Sequence, residues 1–180
     1  MPVLGPPPIT ALELAQKIAS ESSLTWDWDE RPIKNLLYGL RPEFHVDCRR
    51  RGLPGEPNVQ EWLLDLVWLD KESRNITLAV ESEFSLVMPQ RLDDFQKLMS
   101  TKSPLKLFIY ATRSATESDN VREAITQYLR KFSQHIEGEE YLLMDVNKGH
   151  CEFHHFRAPS SGSLGEVAFA PVQLKQGSSA

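Results

Sequence analysis

Apolar and polar positions along the chain fall into two rhythms. A repeat of roughly 3.6 residues marks helices, and a repeat of two marks half-buried strands. Thr10 and Glu13 stand at capping-box spacing and open a helix over TALELAQKIASES, with Leu12, Ala15, Ile18 and Ala19 on a weak stripe. TWDWDERP is a polar, aromatic connector, and Pro32 suits the first turn of a second helix, IKNLLYGL, which ends near Gly39. EFHVDCRR alternates Phe44, Val46 and Cys48 with polar neighbours and reads as a strand, followed by the loop RGLPGEPN. Glu61 to Leu69 is a nearly continuous apolar strand, DKESRN a polar turn, and Ile76 to Phe84 the next strand, so these two form an antiparallel hairpin. Pro89 to Thr101 reads as a helix with Leu92, Phe95, Leu98 and Met99 on one face. Pro104 stops it, and LKLFIYAT is a buried strand. A further helix, capped at Asn120 with Glu123, carries Val121, Ile125, Tyr128, Leu129, Phe132 and Ile136 on one stripe. EYLLMDV and HCEFHHFRA are strands around an NKG turn, SSGSLGE is a linker, and VAFAPVQL an edge strand.

This order predicts a central mixed sheet flanked by helices, in the α/β (α+β) class. One domain over 1–180 is expected, with extended or flexible ends at 1–9 and 160–180. No internal repeat is visible.

Three acids break the apolar pattern. Asp65 interrupts WLLDLVWL, and Glu81 and Glu83 interrupt ITLAVESEF. Side chains alternate along a strand, so Glu81 and Glu83 share a side with Thr77 and Ala79. The hairpin brings Asp65 close to Glu81. Two readings stand side by side: an edge acid with the solvated face of an amphipathic strand, or a convergent site. Buried carboxylates are costly unless paired, hydrogen-bonded or bound to a cation. Hard oxygen ligands of this kind suit Mg²⁺ or Mn²⁺, ions that hold phosphate oxygens and activate water.

Asp65, a hairpin, then Glu81-Ser82-Glu83 on an apolar strand, then a helix and a buried strand resemble the PD-(D/E)XK nuclease superfamily. The likeness covers roughly residues 30–155. It implies the restriction-endonuclease-like αβββαβ core and a metal-dependent nuclease, or nuclease-like protein, that hydrolyses nucleic-acid phosphodiester bonds with Mg²⁺ or Mn²⁺. DNA is the expected partner, and a homodimer is compatible with the family. The resemblance places metal on Asp65 and Glu81. At the position where the family usually has lysine, this chain has Glu83, a departure that a minority of restriction enzymes share. Some family members move the lysine to the following helix, which makes Lys97 the candidate here. A helical wheel sets Lys97 nearly opposite Leu92, Phe95 and Met99 and puts Gln96 at the flank of that face. Many members also take a glutamate from the first helix, for which Glu30 and Glu43 are both candidates. Some members have lost catalysis, so an inactive interaction module on the same fold is the alternative.

Composition narrows the rest. Hydrophobic residues make up 41% and charged residues 25%, an ordinary globular balance, and the net charge of -5 argues against a protein that coats DNA by charge alone. No apolar run approaches the roughly 20 residues of a membrane span. MPVLGPPPIT lacks the basic-then-apolar order of a secretory signal, so a cytoplasmic location is expected. Cys48 and Cys151 make neither a CxxC pair nor a disulfide framework. His150 and His154 fall on one side of their strand and Cys151 and His155 on the other, which disfavours a single zinc site. Arg49, Arg50 and Arg51 read as phosphate contacts or as a charged strand end, and Trp26, Trp28 and Trp62 as base-stacking or packing residues. No GxxxxGK[ST], GxGxxG, GxSxG or HExxH motif is present.

Overall fold

The computed structural model describes residues 6–21, 31–50, 63–147, 150–158 and 165–167. Its elements in chain order are α1 (Ala11–Ser20), α2 (Arg31–Leu40), β1 (Val46–Arg50), β2 (Leu66–Asp70), β3 (Ile76–Glu83), α3 (Met88–Ser100), β4 (Leu105–Ala111), α4 (Ala115–Lys131), β5 (Glu140–Asn147), β6 (His150–Arg157) and β7 (Gly165–Val167). The strands form one sheet in sequence order, β1 to β7. β1, β2 and β3 pair antiparallel, β3, β4 and β5 pair parallel, and β5, β6 and β7 return to antiparallel pairing. This is the mixed sheet flanked by helices that the sequence predicts, and α2 to β4 run in the order helix, three strands, helix, strand.

Strand alternation divides the interior into two layers. Leu66, Trp68, Leu78, Val80, Leu107 and Met144 face α1 and α2. Val67, Ala79, Phe108, Tyr110, Tyr141 and Leu143 face α3 and α4. Because both faces are covered, the central strand β4 is buried along its whole length, which explains its apolar run, broken by Lys106 alone. Trp68 anchors the first layer: its indole N–H donates to the Leu37 carbonyl at 3.2 Å, and its ring stacks on Phe44.

Several sequence expectations shift. The capping box at Thr10 forms as read. The expected Asn120 cap does not: α4 begins two turns earlier, capped by Ser114, whose hydroxyl accepts the Glu117 amide at 3.2 Å. That helix also ends at Lys131, so Ile136 lies beyond it. β2 starts at Leu66 rather than Glu61, with a bend over Leu63 to Asp65; Glu61 and Trp62 lie outside the described residues, as do Trp26 and Trp28. The side of β3 that bears Ala79 and Glu81 is covered by α3 and α4. Among the described residues, no helix is long and apolar enough to cross a membrane.

Candidate functional site

The site forms where β2 begins and β3 ends. Leu66 sits opposite Val80 in the register, so the next residues outward are Asp65 and Glu81. Asp65, in the bend before β2, turns one carboxylate oxygen onto β3: its Oδ2 accepts the Ser82 backbone N–H at 3.0 Å and the Ser82 hydroxyl at 2.6 Å. The same oxygen meets the Lys34 ammonium at 3.1 Å. Lys34 belongs to α2, where Ile33 and Leu37 are buried beside it, and it is itself only 7% exposed.

Glu81 is 4% exposed, which removes the solvated-face reading for this acid. Its Oε1 is buried without a hydrogen-bond partner. Burial, reinforced by the nearby charges of Asp65 and Asp94, pushes its carboxyl up to about 8, while Lys97 and Lys34 pull the other way. A buried carboxyl with an unmet oxygen, next to a carboxylate, holds either a proton or a cation.

α3 lies over β3 and supplies the remaining charges. Arg91, Phe95, Leu98 and Met99 are its buried residues. Asp94 and Lys97 lie at i, i+3 at the rim and form an ion pair. The hydrogen bond to Asp94 holds the Lys97 amine above its ordinary value against some desolvation, and Glu81 and Asp65 add to the same effect. The helical wheel therefore describes Lys97 only in part. The residue is off the apolar stripe, yet its charge reaches both predicted acids. Gln96, the flank candidate, is exposed.

Glu83 continues on the same side of β3, one pleat beyond Glu81. Its carboxylate accepts the Ser85 amide at 2.6 Å and so holds the chain as it leaves the strand. Glu43 is exposed and bonded to Lys17 of α1 at 2.6 Å, and Glu30 lies outside the described residues. The first helices thus contribute Lys34, a cation, where the resemblance expects a glutamate. Arg49 is exposed on β1, and Arg51 lies outside the described residues.

Lys34 and Asp94 are the members the sequence does not single out, and Ser82 stands there only as the residue between the two glutamates. Lys34 interrupts the apolar positions of a short helix as Asp65 interrupts a strand, and that is the signal that could have found it. Asp94 has no such mark, because a charged pair at i, i+3 is ordinary on a helix surface.

Among the described residues, no group of three or more His, Cys, Asp or Glu could hold a metal ion. The donor set offered by Asp65 and Glu81 is two carboxylates. That set fits Mg²⁺ or Mn²⁺, since Mg²⁺ is usually held by one or two carboxylates and completes its shell with water and substrate phosphate. The orphaned Oε1 of Glu81 points to the same ligand class. Among the described residues, His154 and His155 of β6 belong to no metal-holding group: His155 pairs with Glu140 and His154 lies beside Glu152. Set beside known proteins, the chain matches no protein-family model and no curated protein.

Proposed function

We propose that this chain is a metal-dependent nuclease, or nuclease-like protein, of the PD-(D/E)XK type that hydrolyses nucleic-acid phosphodiester bonds, with DNA as the expected substrate. The observation that carries the reading is the buried, unpartnered Oε1 of Glu81 on β3 beside Asp65, which stands just before β2. A bound Mg²⁺ or Mn²⁺ would hold phosphate oxygens and make a bound water more acidic. Asp65 and Glu81, whose Oε1 has no hydrogen-bond partner, are the residues that would hold the ion. Ser82 fixes the Asp65 carboxylate, so this ligand is oriented before any ion arrives. Lys97, with Glu83 one pleat further along, would orient the attacking water, and its ammonium would offset phosphate charge.

The test is cleavage of single- and double-stranded DNA and RNA in Mg²⁺ or Mn²⁺. Asp65→Ala and Glu81→Ala should each lower cleavage by about 100-fold or more. Products should carry a 5′-phosphate. Wild-type rates from either variant would overturn the assignment.

A second reading, a catalytically inactive interaction module on the same fold, draws on one observation. Lys34 lies against Asp65, and Lys97 pairs with Asp94, so much of the cluster's charge is balanced internally. Calorimetry on the folded chain separates the two readings: absence of Mg²⁺ and Mn²⁺ binding selects the module.

A further inference from the structure

We propose that Lys34 is a resident cation of the Asp65–Glu81 centre: its ammonium fills one cation position, so the centre takes a single divalent ion. This rests on the reading of that centre as a metal site and specifies what the site can hold.

The first argument is donor saturation. A carboxylate offers about four acceptor positions over its two oxygens. Oδ2 of Asp65 already faces three donors: the Ser82 amide at 3.0 Å, the Ser82 hydroxyl at 2.6 Å and the Lys34 ammonium at 3.1 Å. Two-metal centres place their ions roughly 3.5–4 Å apart, and a carboxylate shared between them must give one oxygen to each. Asp65 has one oxygen left to give. Lys34 stands where the second ion would be ligated.

The second argument is charge. Fully ionised, Asp65, Glu81 and Asp94 against Lys34 and Lys97 leave one net negative charge in the cluster. One divalent ion turns that into one net positive charge, matched to a single phosphodiester. A second ion would raise it to three positive charges in a site where Glu81 and Lys34 are both buried.

The third argument is architecture. Lys34 comes from the α1–α2 layer and Lys97 from the α3–α4 layer, so the two ammoniums approach the acids from opposite faces of the sheet. Lys34 is rooted between buried Ile33 and Leu37, and its side chain is 9% exposed against 42% for Lys97. Lys97 can swing to solvent or substrate, whereas Lys34 is packed in place. This separates a substrate-facing lysine from a site-building one.

Mn²⁺ titration of the chelator-treated full chain tests this, read by calorimetry for stoichiometry and by electron paramagnetic resonance for ion–ion coupling. Wild type should bind one Mn²⁺ with an uncoupled spectrum. Lys34→Met, which keeps the packing volume and removes the charge, should either admit a second, spin-coupled ion or bind the first about tenfold more tightly. Lys34→Arg should behave as wild type. A coupled pair of ions in wild type overturns the proposal. So does Lys34→Met binding one ion with unchanged or weaker affinity, and in that case the metal reading itself survives. If neither wild type nor Lys34→Met binds Mn²⁺, both fall together. If only Lys34→Met binds, Lys34 holds the cation position and the natural chain is the inactive module. Should Lys34→Met fail to fold, the wild-type spectrum and Lys34→Arg decide.

Discussion

At neutral pH the Glu81 side chain holds its proton, because burial and the adjacent Asp65 and Asp94 charges push its carboxyl up to about 8. In the unfolded chain the same group ionises near 4.5. Between these values the folded state binds a proton that the unfolded state has lost. Stability from this group is therefore fully present below pH 4.5 and falls as pH rises towards 8, beyond which the loss is complete. The slope within the window approaches about 1.4 kcal/mol per pH unit. Glu81→Gln removes the titrating group while keeping its shape. In metal-free buffer, urea midpoints of wild type and Glu81→Gln should diverge with rising pH, the variant becoming the more stable protein above pH 7. Parallel midpoints across the window would mean that Glu81 ionises normally in the fold. The residue is thus held in a state that opposes its own ionisation, and a divalent ion is the agent that would reverse the balance by displacing the proton.

Ser114 shows at the level of one helix why local signals mislead. Both Ser114-x-x-Glu117 and Asn120-x-x-Glu123 have the spacing of a helix start, and the apolar stripe begins only at Val121. The first two turns of α4 carry no apolar stripe because Ser118 packs there against the buried Asp145 and hydrogen-bonds it. A polar contact, invisible to periodicity, sets the boundary. Ser114→Ala should cost about 1 kcal/mol, read as a lower urea midpoint with an unchanged slope. Asn120→Ala, inside the helix, should cost less; the reverse order would restore the later start. The same logic separates what could be read of the site from what could not. Asp65 and Glu81 were legible because a carboxylate in an apolar strand is conspicuous. Asp94 sits on an amphipathic helix, where a charge beside the apolar stripe looks solvated until the covering layer is known, and the one mark of Lys34 is its place among the apolar positions of the short α2. The helix-to-sheet order was legible because β4, buried on both faces, could be nothing but a central strand. Which side of β3 faced a helix layer was not, since both sides turned out to be covered.

Across the whole molecule, two buried cations hold α3 over β3 and thereby place Asp94 and Lys97 above Glu81. At the N-terminal end, Arg91, 1% exposed, donates to the carbonyls of Ser85 at 2.7 Å and Ala111 at 2.6 Å and pairs with Glu117 of α4. At the C-terminal end, Lys106 of β4 donates to the Met99 carbonyl at 2.9 Å and forms an ion pair with Glu139, both side chains being almost fully buried. The Tyr141 hydroxyl joins them, accepting from Lys106 at 3.1 Å and donating to Glu139 at 2.9 Å. A buried pair adds little net stability over an apolar substitute, yet removing one partner strands the other charge in a low-dielectric interior. Lys106→Met and Glu139→Gln should therefore each destabilise by about 3–5 kcal/mol, while the double variant should recover most of that loss. Chemical denaturation of the four proteins gives the coupling directly. Additive losses would show that the two residues act independently. The double variant has a second use: it keeps the core filled but frees the Met99 carbonyl from its ammonium. If α3 then shifts on β3, the Mn²⁺ affinity proposed for Asp65 and Glu81 should fall although neither residue has changed; unaltered affinity would show that Arg91 and the apolar face of α3 suffice to keep the helix in place.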